Sequence, residues 1–150
     1  MEEKYKALLK EALLIREKAY TPYSHYKVGA ALLCKSGKVY VGCNIESGAF
    51  SPTSCAERVA FFDAVKQGER EFEAMVVVAG TDGDKNLKNA SPCGVCRQVM
   101  AEFCKDDFKV ILPKIHITGD ISASQYEVIN EKVYSLDELI PFRFDYEEFK

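Results

Sequence analysis

The chain has 150 residues, with 20 Lys+Arg against 23 Asp+Glu and a formal net charge of −3. That balance argues against a nucleic-acid binder built on a broad basic face. An apolar fraction of 47% beside 29% charged residues excludes a disordered or fibrous chain, and one domain, 1–150, is the natural reading.

In chain order, the opening Met1-Glu2-Glu3-Lys4-Tyr5 has no basic stretch leading into an apolar one, so no signal peptide is expected. No apolar run approaches the roughly 18 residues that a membrane span needs. A cytoplasmic location is the expectation, and there clustered cysteines point to metal binding or catalysis rather than to disulfides. Tyr5, Leu8, Leu9, Ala12, Leu13 and Ala19 recur at helical spacing, which predicts an amphipathic helix over the first twenty residues. Thr21-Pro22-Tyr23-Ser24 should end it, because a residue before proline avoids the helical region. A hairpin follows, with strands 26–33 and 39–44 about the turn Lys35-Ser36-Gly37-Lys38. Residues 47–54 read as a loop, and 54–67 as a helix closed by Gly68.

The run Met75-Val76-Val77-Val78-Ala79 predicts a strand buried on both faces. Residues 80–90 read as a polar loop. Ser91-Pro92 should open a helix reaching about Phe103, with Ser91 as N-cap and the proline at the first helical position. A short strand is expected at 109–112, while 113–132 shows no readable pattern. Ser135-Leu136-Asp137-Glu138 is a capping box before a short helix that stops at Pro141, and 145–150 is polar enough for a loose tail. Helices interleaved with strands after a hairpin predict an α/β chain of three layers, α/β/α, around a central mixed β-sheet.

Six cysteines are more than such a chain needs to fold. Two segments at predicted helix starts carry three of them, Cys55-Ala56-Glu57-Arg58 and Pro92-Cys93-Gly94-Val95-Cys96-Arg97-Gln98. Cys93 and Cys96 are spaced to share one helix face. A helix N-terminus favours thiolate. If the two helix starts are adjacent, Cys55, Cys93 and Cys96 can converge on one metal ion. Three ligands with an open position is the layout of catalytic zinc, which lowers the pKa of a bound water toward ~7. Three thiolates leave a net negative centre that a cation, Arg58 or Arg97, would offset. Glu57, two residues past a ligand, is placed to move protons. Other readings stay open. A Cys-x-x-Cys also fits a thioredoxin-like redox pair or half a structural zinc site, and Glu57 could complete a capping box with Ser54. Cys34, Cys43 and Cys104 read as small buried hydrophobes. His25 and His116 show no ligand spacing.

With these motifs the chain resembles the zinc-dependent cytidine deaminases of the short, homotetrameric class, in the all-cysteine form of the signature ligand-x-Glu…Pro-Cys-x-x-Cys. The resemblance extends over Tyr20-Thr21-Pro22-Tyr23-Ser24, Val28-Gly29-Ala30-Ala31-Leu32, Gly42-Cys43-Asn44-Ile45-Glu46, both cysteine segments and Leu139-Ile140-Pro141. It implies the cytidine deaminase-like fold and one Zn2+ per subunit on Cys55, Cys93 and Cys96. It also implies Glu57 as proton shuttle and Arg58 as the residue offsetting thiolate charge. Asn44 and Glu46 would grip the ribose 3′-hydroxyl. Tyr26 and Ala56 fall in the substrate-binding set, with Phe144 stacking on a base bound mainly by another subunit. Departures are Tyr26 where the family commonly has phenylalanine, Ser47-Gly48-Ala49-Phe50 where it commonly has Asn-Ala-Ser-Tyr, and longer 80–90 and 113–132 segments.

The expected activity is hydrolytic deamination of free cytidine and 2′-deoxycytidine in pyrimidine salvage. Retained Asn44 and Glu46 favour a ribose over the main alternative, blasticidin S or a modified cytosine nucleoside. The other competitors are a zinc- or RNA-binding module and a thiol oxidoreductase. The charge of −3 counts against a polynucleotide partner.

Overall fold

A computed structural model describes residues 1–145. Its elements are α1 (Glu3–Arg16), β1 (Tyr26–Cys34), β2 (Val39–Cys43), α2 (Ala56–Lys66), β3 (Phe72–Thr81), β4 (Asn86–Leu87), α3 (Gly94–Phe103), β5 (Lys109–Ile117), a 3-10 turn (Ile121–Ala123), β6 (Tyr126–Ser135) and α4 (Leu136–Leu139). The strands form one six-stranded sheet in which β2, β1, β3 and β5 are successive neighbours and β4 and β6 both pair with β5. β3 and β5 run parallel and the other pairs antiparallel, so the sheet is mixed as expected. Among the described residues no helix is long and apolar enough to cross a membrane.

Successive strand residues face opposite ways, and this builds the three layers. Ala31, Ala74, Val76, Val78, Ile111 and Ile115 pack on one side against Leu8, Leu9, Ala12 and Leu13 of α1. Ala30, Leu32, Met75, Val77, Val110 and Leu112 pack on the other against Ala60, Phe61 and Ala64 of α2 and Met100 of α3. β3 is covered on both faces, which is why its sequence is a continuous apolar run rather than an alternating one.

Two glycines let the helices sit directly on the hairpin. A Cβ on Gly29 would lie 2.1 Å from the Ala12 carbonyl oxygen in α1, and one on Gly42 would lie 2.4 Å from that of Ala56 and 2.5 Å from the Ala60 nitrogen in α2. The two nearest atoms met at Gly42 are helix backbone, so relief requires α2 to move as a body. Gly42→Ala is therefore expected to cost about 1–3 kcal/mol of stability, the usual range for overpacking. Urea unfolding measures it, and an unchanged midpoint would show that α2 is not held this tightly.

The structure corrects several sequence expectations. α1 ends at Arg16 rather than at Thr21-Pro22. The Arg16 side chain is buried and donates to the carbonyls of Lys27, Gly80 and Thr81. Tyr20 leaves the helix path, its N–H donating to Asn44 O and its carbonyl accepting from Glu46 N. The 80–90 segment is not wholly a solvated loop, because Leu87 is fully buried and pairs opposite Ile115 in β5. A two-residue strand is too short to show a period.

The strand expected at 109–112 continues to Ile117, and the unreadable 113–132 segment holds most of a long antiparallel hairpin with β6. β6 is mostly exposed along its length, so no buried face imposed an alternation on its sequence. The capping box at Ser135 and Glu138 is present as read. Of the expected tail, residues 146–150 lie outside the described residues.

Candidate active site

α2 and α3 begin on the same side of the sheet, and their first residues bring the three predicted cysteines together. Cys55 is the N-cap of α2 and Cys93 the N-cap of α3, both with extended backbone and without a side-chain cap bond. Ser91 and Ser54 are thus not the caps that spacing suggested. Cys96 follows in the first turn of α3. The Sγ atoms of Cys55 and Cys93 are 3.7 Å apart and those of Cys93 and Cys96 3.5 Å. All three lie within 4.8 Å of one another. Tetrahedral zinc with Zn–S near 2.3 Å places its thiolates roughly 3.8 Å apart. The donor set therefore fits zinc in both chemistry and spacing. Cys96 is buried and Cys55 half-buried, while Cys93 is exposed and marks the open side of the cluster.

Electrostatics favour thiolate at Cys55. Hydrogen bonding within the cluster, from Cys96 first and then with help from Arg58 and Cys93, lowers the Cys55 thiol to about 5 against the effect of burial. The same shared bond, with burial and the Glu57 charge, holds the proton on Cys96. The Arg58 Nη2 lies 3.6 Å from Cys55 Sγ and 3.4 Å from the Thr53 carbonyl oxygen. Arg97, the other candidate cation, is engaged elsewhere. It donates to the Pro92 carbonyl at 2.9 Å, to the Leu139 carbonyl at 2.5 Å and to Ser91 Oγ at 2.5 Å. It ties the loop before Cys93 to α4.

Glu57 is 5% exposed in the first turn of α2. Burial raises its pKa, as does the Cys55 charge, against hydrogen bonds from its own N–H and from Cys96. The capping-box reading of Glu57 fails, because the N-cap is Cys55 and the Ser54 hydroxyl is directed to the Cys55 carbonyl. A buried carboxyl beside the cysteine cluster, its pKa raised by burial, is suited to carrying a proton.

The remaining predicted residues fall in three places. Ala56, between Cys55 and Glu57, is fully buried. Asn44, Glu46 and Tyr26 meet at the start of β1. Asn44 Oδ1 accepts from Val28 N at 2.9 Å and its Nδ2 donates to Tyr26 O at 2.8 Å. Glu46 Oε1 accepts from the N–H groups of Tyr23 and Ser24 at 3.0 and 3.1 Å. Phe144 is exposed, and its carbonyl accepts from Gln98 Nε2 on α3 at 3.0 Å. Sequence reasoning did not find the roles of Ser24 and Arg97. The partners of Arg97 include Leu139, too far along the chain for any local pattern to reveal.

Three thiolate donors at paired helix starts, a buried carboxylate beside them and a three-layer mixed sheet define a zinc-dependent hydrolytic deaminase. Residues 2–112 match the family model described as the cytidine and deoxycytidylate deaminase zinc-binding region, and the chain belongs to that family. The chain is 47% identical over 132 residues to the cytidine deaminase of Sporosarcina psychrophila, covering 88% of this chain and 92% of that protein. It is 50% identical over 114 residues to the cytidine deaminase of Halalkalibacterium halodurans, covering 76% and 81%. The crystal structure of cytidine deaminase from Burkholderia pseudomallei superposes with a TM-score of 0.75 at 41% identity, covering 96% of this chain and 100% of that one.

Proposed function

We propose that the chain acts as one catalytic domain that hydrolytically deaminates free cytidine and 2′-deoxycytidine to the uridine products and ammonia. The observation that carries this is the convergence of Cys55, Cys93 and Cys96 beside buried Glu57. Zinc held by the three cysteines supplies Lewis-acid activation of water at neutral pH. Glu57 accepts a proton from the attacking water and delivers it to the pyrimidine ring nitrogen. It then takes the remaining proton of the hydroxyl added at carbon 4 and passes it to the amine, which leaves as ammonia when the C4–N bond breaks and the uridine carbonyl forms. Arg58 offsets the thiolate charge from 3.6 Å.

The sugar reading rests on unused hydrogen-bonding capacity. An ionised carboxylate offers about four acceptor positions, and Glu46 uses three of them, for Tyr23 N, Ser24 N and Ser24 Oγ. Asn44 keeps one amide hydrogen beyond its bond to Tyr26 O. One acceptor and one donor side by side match a single hydroxyl, which donates and accepts at once. The ribose 3′-hydroxyl is that group. Tyr26 stacks beneath the base.

The site belongs to a homotetramer in the cytoplasm, working in pyrimidine salvage, with Phe144 completing a neighbour's pocket. In support of association, Tyr20, Tyr23, Ile45, Phe50, Phe142 and Phe144 are all exposed, and the Tyr23 and Phe50 rings meet edge to face at 6.3 Å.

Steady-state rates on cytidine, 2′-deoxycytidine and blasticidin S, run beside zinc quantitation, test the assignment. Turnover of both nucleosides well above blasticidin S is the expected result. Preference for blasticidin S, or binding of single-stranded RNA without turnover, would overturn it.

A further inference from the structure

We propose that Ser24 is a positioning residue for sugar recognition, its hydroxyl aiming the Glu46 carboxylate and joining it to the backbone that carries Tyr26. The proposal rests on the sugar-binding reading of Asn44 and Glu46 above.

Ser24 Oγ donates to Glu46 Oε2 at 2.5 Å and accepts from Tyr26 N at 3.1 Å. One hydroxyl thus serves the carboxylate and the next strand together. The Ser24 and Tyr23 N–H groups converge on the other oxygen, Oε1. Both carboxylate oxygens are therefore held from the same short turn, and the plane of the carboxylate is set by it. Next in the chain, His25 adopts a left-handed φ of 59°. Its N–H donates to Thr21 O at 3.0 Å and its carbonyl accepts from Asp82 N at 2.7 Å, which closes the turn.

The other sugar residue grips the same backbone from the far side. Asn44 Nδ2 donates to Tyr26 O at 2.8 Å, while Ser24 Oγ takes Tyr26 N. Both backbone polar groups of Tyr26 are thereby bonded to the Asn44–Glu46 pair, one directly and one through Ser24. The arrangement couples the residue beneath the base to the residues at the sugar, and Ser24 is the link that a single substitution removes. The Ser24 hydroxyl bond is also the largest influence lowering the Glu46 pKa, which keeps the carboxylate an acceptor. Ser24 is exposed, so losing its hydroxyl does not open the core.

The test compares cytidine with 3′-deoxycytidine, which lacks the hydroxyl at issue, in wild type, Ser24→Ala, Ser24→Thr and Glu46→Ala, with zinc content measured for each. Ser24→Ala is expected to raise KM for cytidine roughly tenfold, the size of one lost charge-assisted bond, with kcat little changed. KM for 3′-deoxycytidine, which lacks the hydroxyl held by Glu46 but still meets Tyr26, should rise much less than KM for cytidine, and zinc content should not move. Ser24→Thr, which keeps the hydroxyl, should restore cytidine KM. An equal KM rise on both nucleosides, or no rise on either while Glu46→Ala still discriminates between them, overturns the proposal. If Glu46→Ala itself fails to discriminate, the sugar reading falls and the proposal with it.

Discussion

Replacing Glu57 by glutamine is expected to leave the zinc content unchanged and to cut kcat by at least roughly 10²–10⁴-fold, the usual contribution of a general acid–base. Glutamine has nearly the same shape, so the buried site stays filled, and Glu57 is not one of the three sulfur donors. What the amide lacks is a proton it can take up and return. At 5% exposure and beside a thiolate cluster, the carboxyl is screened from bulk water, so solvent cannot easily take over the transfer. Zinc analysis and steady-state kinetics on the same preparation make the measurement. A Glu57→Gln protein with near wild-type turnover would remove Glu57 from the mechanism.

Cys93→Ala is expected to lose both zinc and activity. Two remaining thiolates leave the ion without the three-ligand set that a catalytic site uses. Cys93 isolates this effect better than its partners do. It is exposed and makes no side-chain cap bond, so the fold loses little when its sulfur is removed. Cys96, in contrast, is 1% exposed, and its replacement would also leave a cavity. Chelated wild-type protein should regain turnover when zinc is restored, whereas Cys93→Ala should not. Full zinc retention by Cys93→Ala would exclude Cys93 as a ligand.

The helices and strands with strong local signals were legible in the chain. α1 showed its apolar stripe, β3 its unbroken Met75–Ala79 run, and α4 its Ser135–Glu138 box. β4 and β6 were not. Leu87 is flanked by polar residues, and its burial comes from pairing with β5. β6 gains its order from the full-length ladder with β5 and not from a buried face of its own. The caps were misplaced by two residues at α3 and by one at α2, because a serine beside a proline or a cysteine is a plausible cap. Whether its oxygen meets a free N–H depends on where the helix starts. Ser91 instead accepts from Arg97.

The six cysteines divide the same way. Residue type and spacing alone determined which three could hold a metal and which carboxylate stood beside them, because ligand chemistry and helical period are local properties. The other three divide by burial: Cys34 and Cys43 are buried and Cys104 is half-buried. Only the tertiary structure decided that the starts of α2 and α3 meet, at 3.7 Å between Cys55 and Cys93 sulfurs. It also decided that Arg58 reaches the cluster while Arg97 braces α4, and that Asn44 and Glu46 are bonded to the turn carrying Tyr26. Those outcomes depend on contacts between segments far apart in the chain, and no local pattern encodes the distance at which such segments pack.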